Sequence, residues 1–168
     1  MTEGRRPGGR TRLHAALAAL LIVALEDQMA AAADTETRNK QVVQAAFDAW
    51  RDGTGTVFDL LEPDAHWTIV GYAPVSRTFT SRQEFLDQVI KPFNARMRRP
   101  LVPSVRGIYA DGDMVIALFD AEGVARDGQP YRNTYTWYMR MRDERIVDVT
   151  AFFDTIHFTE LWNRVAPE

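Results

Sequence analysis

The side chain best placed to do chemistry in this sequence is Asp120, a carboxylate at the end of the apolar run Met114–Phe119. An unpaired carboxylate in apolar surroundings is costly, and desolvation raises its pKa toward the range useful for general acid–base work. The competing reading is a strand-end aspartate near Gly123, wet or paired with an arginine. Asn133 and Tyr135 stand two residues apart on a later β-rich stretch, so a strand presents both on one face. An amide and a phenol so placed can grip one ligand oxygen, hold Asp120, or form a structural hydrogen-bond network. His66, beside Trp67, is a candidate general base or a partly exposed surface residue. Tyr72 is a poor base and serves as a donor, as a lid residue, or as neither. Leu118, Trp137 and Phe153 are walls of a pocket or plain core. Asp154 reads as a turn or cap residue and His157 as surface.

Several chemistries are excluded. The chain has no cysteine, which removes thiol catalysis, disulfides and thiolate metal sites. The histidines show neither His-x-His nor His-x-x-x-His spacing, so no metal is expected. No glycine-rich phosphate loop or nucleophile elbow is present, and no cofactor is expected. A net charge of −3 with no basic face argues against a nucleic-acid partner.

These residues need elements to position them. Val43, Ala46, Phe47 and Trp50 fall on one stripe of a helix over residues 35–52, stopped by Gly53 and Gly55. A short helix follows over 57–61, then a strand over 66–70 and a loop over 71–80. Ser81-x-x-Glu84 is a capping box that opens a helix running to Ile90, broken by Pro92. Arg96, Arg98 and Arg99 read as a solvated connection, with an anion site as the alternative. Strands over 102–110 and 114–125 flank Asp111-Gly112-Asp113, a hairpin signal. Strands over 131–142 and 146–154 follow, and Phe158, Leu161, Trp162 and Val165 mark a closing amphipathic helix. Helices first and a four-stranded antiparallel meander after them make an α+β domain.

The N-terminus reads as an export signal. Arg5, Arg6, Arg10 and Arg12 precede an apolar run from Leu13 to Leu25, and Ala31-x-Ala33 supplies a cleavage pattern. The expected organisation is a signal peptide over 1–33 and a domain over 34–168, periplasmic or secreted. Without cleavage in mind, translation starting at Met29 gives a cytoplasmic protein instead. After signal removal no stable membrane span is expected, since the apolar run is shorter than the ~20 residues a bilayer requires.

The stretches Asp64–Gly71, Asp127–Trp137 and Ile146–Asp154 resemble the first, penultimate and last strands of SnoaL-like proteins, in the nuclear transport factor 2-like superfamily that also holds ketosteroid isomerase. The resemblance implies a cone-shaped roll: a curved, mostly antiparallel sheet with helices packed on its concave face. It implies a pocket there for a small apolar or oxygenated molecule, with Leu118, Asp120, Glu122, Asn133, Tyr135, Trp137, Val149, Ala151 and Phe153 facing it. Epoxide hydrolases of this fold use an aspartate near the position of Asp120. The isomerase's own acid, base and tyrosine positions are taken here by Trp137, Tyr72 and Ala46, so steroid isomerisation is not expected. What remains is a cofactor-independent lyase, isomerase or hydrolase using Asp120, or a non-catalytic binding or dimerisation module. The family commonly dimerises through the outer sheet face, where Tyr138, Met139 and Met141 are expected to leave apolar area.

Overall fold

The computed structural model describes residues 9–167. Arg5 and Arg6 of the expected signal lie outside them. The chain divides into two compact units, Met1–Thr35 and Glu36–Glu168. The first is helical over its described part, and among the described residues no helix is long and apolar enough to cross a membrane.

Helix α1 spans Gly9–Arg51, and in the second unit its Val43 and Phe47 are buried as the apolar stripe requires. It ends in a Schellman arrangement. The Thr54 amide donates to Ala49 O (2.9 Å), the Gly53 amide to Trp50 O (3.2 Å), and Gly53 sits at φ 72°, the left-handed turn that glycine takes at little cost. A 3₁₀ turn, Val57–Leu60, leads into β1 (Leu61–Ile69). The segment expected to be loop holds a two-residue strand, β2 (Thr78–Phe79), paired antiparallel with β1.

The next helical segment runs as α2 (Arg82–Phe85), a π turn (Leu86–Ile90) and α3 (Lys91–Asn94). Ser81 caps it by accepting from the Glu84 amide (3.1 Å). The Glu84 carboxylate returns to the Thr80 amide (2.8 Å), one residue before the partner a capping box would use. Pro92 accounts for the π turn: it has no N–H to donate and its ring crowds the carbonyl four residues back, so the preceding turn widens.

Strands β3 (Met97–Asp111), β4 (Met114–Ala125), β5 (Pro130–Arg142) and β6 (Arg145–Phe153) form the expected meander, and α4 (Thr155–Arg164) closes the chain. The meander is part of a larger sheet. Its six strands lie in the order β2-β1-β6-β5-β4-β3, with β1 parallel to β6 and the sheet unclosed. β3 starts at Met97, earlier than expected, and breaks register between Arg99 and Val102 and between Val105 and Gly107. Such irregularities bend a strand. At the first bend β3 presses on Gly123, where a Cβ would stand 2.9 Å from Arg99 O and 3.1 Å from Pro100 O. As the edge strand, β3 tolerates Pro100 and Pro103.

Alternation along β5 is strict. Tyr131, Asn133, Tyr135, Trp137, Met139 and Met141 are buried, and the residues between them are exposed or half-buried. Met139 and Met141 therefore belong to the core, and only Tyr138 of the three residues expected on the outer face lies there. The arginine cluster also divides. Arg98 and Arg99 are exposed in β3, whereas Arg96 is buried, its guanidinium 3.9 Å from the Trp162 ring centroid and donating to Pro92 O (2.8 Å). That position fastens α3 to α4, and it is neither a solvated connection nor an anion site.

Candidate functional site

The concave face of the sheet and the helices over it enclose a cavity of about 490 Å³. Its sheet wall is Trp67 and Ile69 of β1, Tyr135 and Trp137 of β5, and Ala151 and Phe153 of β6. Its helical wall is Trp50, Phe85, Val89, Ile90 and Phe93. The π turn matters here: the extra residue in that turn brings the adjacent Val89 and Ile90 to the cavity together with Phe85 and Phe93. Exposed lining residues (Arg51, Asp52, Gly53, Asn94, Pro100, Val102) mark the mouth.

The walls are rings set against rings. Trp67 stacks on Phe85 (centroids 4.2 Å, 11° apart) and stands edge-on to Trp137 (5.0 Å, 82°). Tyr135 stacks on Phe119 (5.0 Å, 10°). Such pairs hold ring orientations beyond what apolar burial alone dictates, so the aromatic lining is preorganised.

One polar network reaches this face. Asn133 is buried and fully engaged. Its Oδ1 accepts from the amides of Thr134 (2.8 Å) and Asp154 (2.9 Å), and its Nδ2 donates to Asp154 O (2.9 Å) and to the Tyr131 hydroxyl (3.0 Å). The Tyr131 and Tyr135 hydroxyls lie 3.0 Å apart. Residues four apart on a strand start about 13 Å apart, so the two rings lean toward each other across Asn133. Burial pushes the Tyr135 hydroxyl well above the ordinary tyrosine pKa, reinforced by its tyrosine neighbour, and burial also raises Tyr131. Both phenols stay protonated at neutral pH.

Of the residues singled out from sequence, Tyr135, Trp137 and Phe153 line the cavity and Asn133 braces it from behind. The expectation for Asp120, Leu118 and Glu122 fails. Antiparallel pairing sets Phe119 opposite Tyr135, Ala121 opposite Asn133 and Ala117 opposite Trp137, and opposed residues project to one side. Phe119 and Ala121 are thus the inward set. Asp120 faces outward, half exposed, accepting from Thr134 Oγ1 (2.7 Å) with Arg106 Nη1 at 3.8 Å. Glu122 pairs with Arg132 on the same outer face (3.1 Å), and Leu118 lies half-buried opposite Thr136.

His66 is exposed because its neighbours Ala65 and Trp67 take the inward positions of β1. Tyr72 is fully exposed in the β1–β2 loop and does not line the cavity. Asp154 is the N-cap of α4, accepting from the amides of Ile156 (2.9 Å) and His157 (3.3 Å). Among the described residues no three His, Asp or Glu side chains cluster as a metal site. Sequence reasoning missed Trp67 as a wall. The alternating Ala65, Trp67, Ile69 was the signal, masked by attention to His66.

A curved six-stranded sheet with an aromatic cavity under its helices is the architecture of the nuclear transport factor 2-like superfamily. The chain matches the family model of the SnoaL-like domain over residues 43–149, more than half its length, and it belongs to that family. Among solved structures it is similar to an NTF2-like protein of unknown function from Burkholderia pseudomallei, at 17% identity and TM-score 0.61, covering 74% of this chain and 96% of that one. It is similar to TerC co-crystallised with polyporic acid, at 18% identity and TM-score 0.61, covering 75% and 98%. A protein from Jannaschia provisionally assigned as a SnoaL-like polyketide cyclase aligns at 17% identity and TM-score 0.55, covering 75% and 92%. No curated protein sequence matches the chain.

Proposed function

We propose that this domain binds a flat, largely apolar small molecule carrying at least one oxygen, and that it holds this ligand without a carboxylate or imidazole inside the cavity. One observation carries the reading: an aromatic cavity of about 490 Å³ in which, among the described residues, Tyr135 is the only titratable lining residue away from the mouth. A mostly apolar pocket whose inner walls offer few hydrogen-bonding groups, the Tyr135 hydroxyl and the tryptophan N–H groups among them, suits recognition of a ring system by shape with a hydrogen bond. The fold-level likeness to a structure holding polyporic acid and to one assigned as a polyketide cyclase is in keeping with that ligand class. An acid–base enzyme working through Asp120 loses its support, since that carboxylate lies on the opposite side of the sheet from the cavity.

The test uses Ala151, a cavity-floor residue flanked by Trp137 and Ile69. Ala151→Phe places a ring in the ligand's space. Binding of a planar aromatic ketone such as fluorenone, read by quenching of tryptophan fluorescence, is expected to weaken by at least about tenfold, or about 1.4 kcal/mol. The circular dichroism spectrum is expected to stay unchanged. Equal affinity in wild type and variant would remove the cavity as the binding place.

We also infer a homodimer through the outer sheet face. The support is a stripe of exposed or half-buried Tyr109, Ile116, Leu118, Tyr138 and Phe152. Margins holding both charge signs, Arg140 with Asp113 on one side and Arg106 with Asp120 on the other, let a second copy meet it in reverse.

A further inference from the structure

We infer that Asn133 and Tyr131 fix the direction of the Tyr135 hydroxyl, so that the cavity presents a hydrogen-bond donor and selects ligands whose oxygen accepts. The proposal rests on the ligand-binding reading of the cavity and adds which way the Tyr135 hydroxyl points.

The order of protons follows from the backbone inward. The Asn133 oxygen faces two amide N–H groups, of Thr134 and Asp154, which can only donate. That settles the orientation of the amide, and its nitrogen must donate to Asp154 O and to the Tyr131 oxygen. Tyr131 therefore accepts from Asn133 and has one proton of its own to place. Among the described residues the only acceptor in reach of that hydroxyl is the Tyr135 oxygen.

If Tyr135 donated back to Tyr131, the Tyr131 proton would be a buried donor without a partner, which costs the full desolvation of that group. If Tyr131 donates to Tyr135, every group behind the wall is satisfied. The one unplaced proton is then that of Tyr135, whose side chain lines the cavity where a ligand can accept it. The strand alternation that aims Asn133, Tyr131 and Tyr135 to one side thus sets the polarity of the site as well as its position. The site favours a carbonyl, quinone or ether oxygen over an N–H that has only a proton to offer.

Three probes of nearly the same tricyclic shape separate the possibilities: fluorenone offers an acceptor, carbazole a donor, and fluorene neither. Wild type is expected to bind fluorenone roughly threefold to tenfold more tightly than fluorene, the worth of one net hydrogen bond, and to give carbazole no such advantage. Tyr135→Phe is expected to bind all three alike. Tyr131→Phe leaves the Tyr135 hydroxyl in place but frees it to turn, so the preference for fluorenone over carbazole is expected to collapse while both still bind. A residue that only supported the fold would change all three affinities together. If wild type binds the three probes equally, the cavity is a binding site and the proton order proposed for it is wrong. A fluorenone preference that survives unchanged in Tyr131→Phe overturns the role of Tyr131. Failure of wild type to bind any of them overturns the binding reading and this proposal with it.

Discussion

At the scale of single residues, the position of Asp120 decides more than its chemistry does. The residue type, at the end of an apolar run, invited an acid–base role. Alternation assigned each strand two faces but left open which face of β4 shares a side with Asn133 and Tyr135. Binary pattern held the answer. One set is Val115, Ala117, Phe119 and Ala121; the other, Met114, Ile116 and Leu118, ends in two acids, Asp120 and Glu122. Burying the second set would strand two carboxylates against apolar walls, so the first set had to face inward. Asp120→Asn is accordingly expected to leave the affinity for fluorenone unchanged and to shift stability by about 0.5 kcal/mol or less, as surface substitutions do. Titration and urea denaturation check this, and a lost affinity would return Asp120 to the site. The main-chain partners of Asn133 on Asp154 were beyond sequence reasoning, because only the fold of the last strands brings them to it.

Elements were legible where their signals are local. The stripe on α1, the cap at Ser81 and the glycine stop at Gly53 each depend on residues within a turn or two of one another. Strand β2 was not legible, since two residues carry no periodicity and Thr78 and Phe79 pair only because β1 offers them an edge. The parallel pairing of β1 with β6 links residues far apart in the chain, such as Trp67 with Val149, and no local signal reports it. The turn between β5 and β6 shows a local preference overruled. Asp143 and Glu144 both stand at positive φ (50° and 63°), the shape a two-residue hairpin requires, without the glycine that adopts it most easily. Left-handed backbone costs a non-glycine residue about 1–2 kcal/mol, and asparagine tolerates it better than most. Replacing the pair by Asp143→Asn with Glu144→Gly is therefore expected to stabilise the domain by about 1 kcal/mol in urea denaturation, with no change in ligand affinity. A destabilised variant would mean that the Glu144 side chain, 3.9 Å from Arg38, holds the turn more firmly than its backbone resists it.

For the molecule as a whole, the two sides of one sheet are built for different neighbours. The concave side is aromatic and enclosed. The outer side is a mixture of threonines, ion pairs and a few exposed rings, among them Tyr138 and Phe152, 5.9 Å apart and edge to face. If that side mates with a second copy, sedimentation is expected to give a dimer, and Tyr138→Glu with Phe152→Glu is expected to give a folded monomer that still binds fluorenone. A wild-type monomer at micromolar concentration would discard the dimer and leave the cavity untouched.

Pro92 and the widened turn before it give the helical wall a property the sheet lacks. The π turn holds one residue more than an α-helical turn, so deleting one position from Leu86–Ile90 would restore ordinary pitch and leave everything after it in register. Phe93 would keep its place at the hollow, Val89 and Ile90 would no longer both reach it, and the strands, their pairing and the two tyrosines would stay where they are. The chamber can thus be re-cut for another guest by the loss of a single codon.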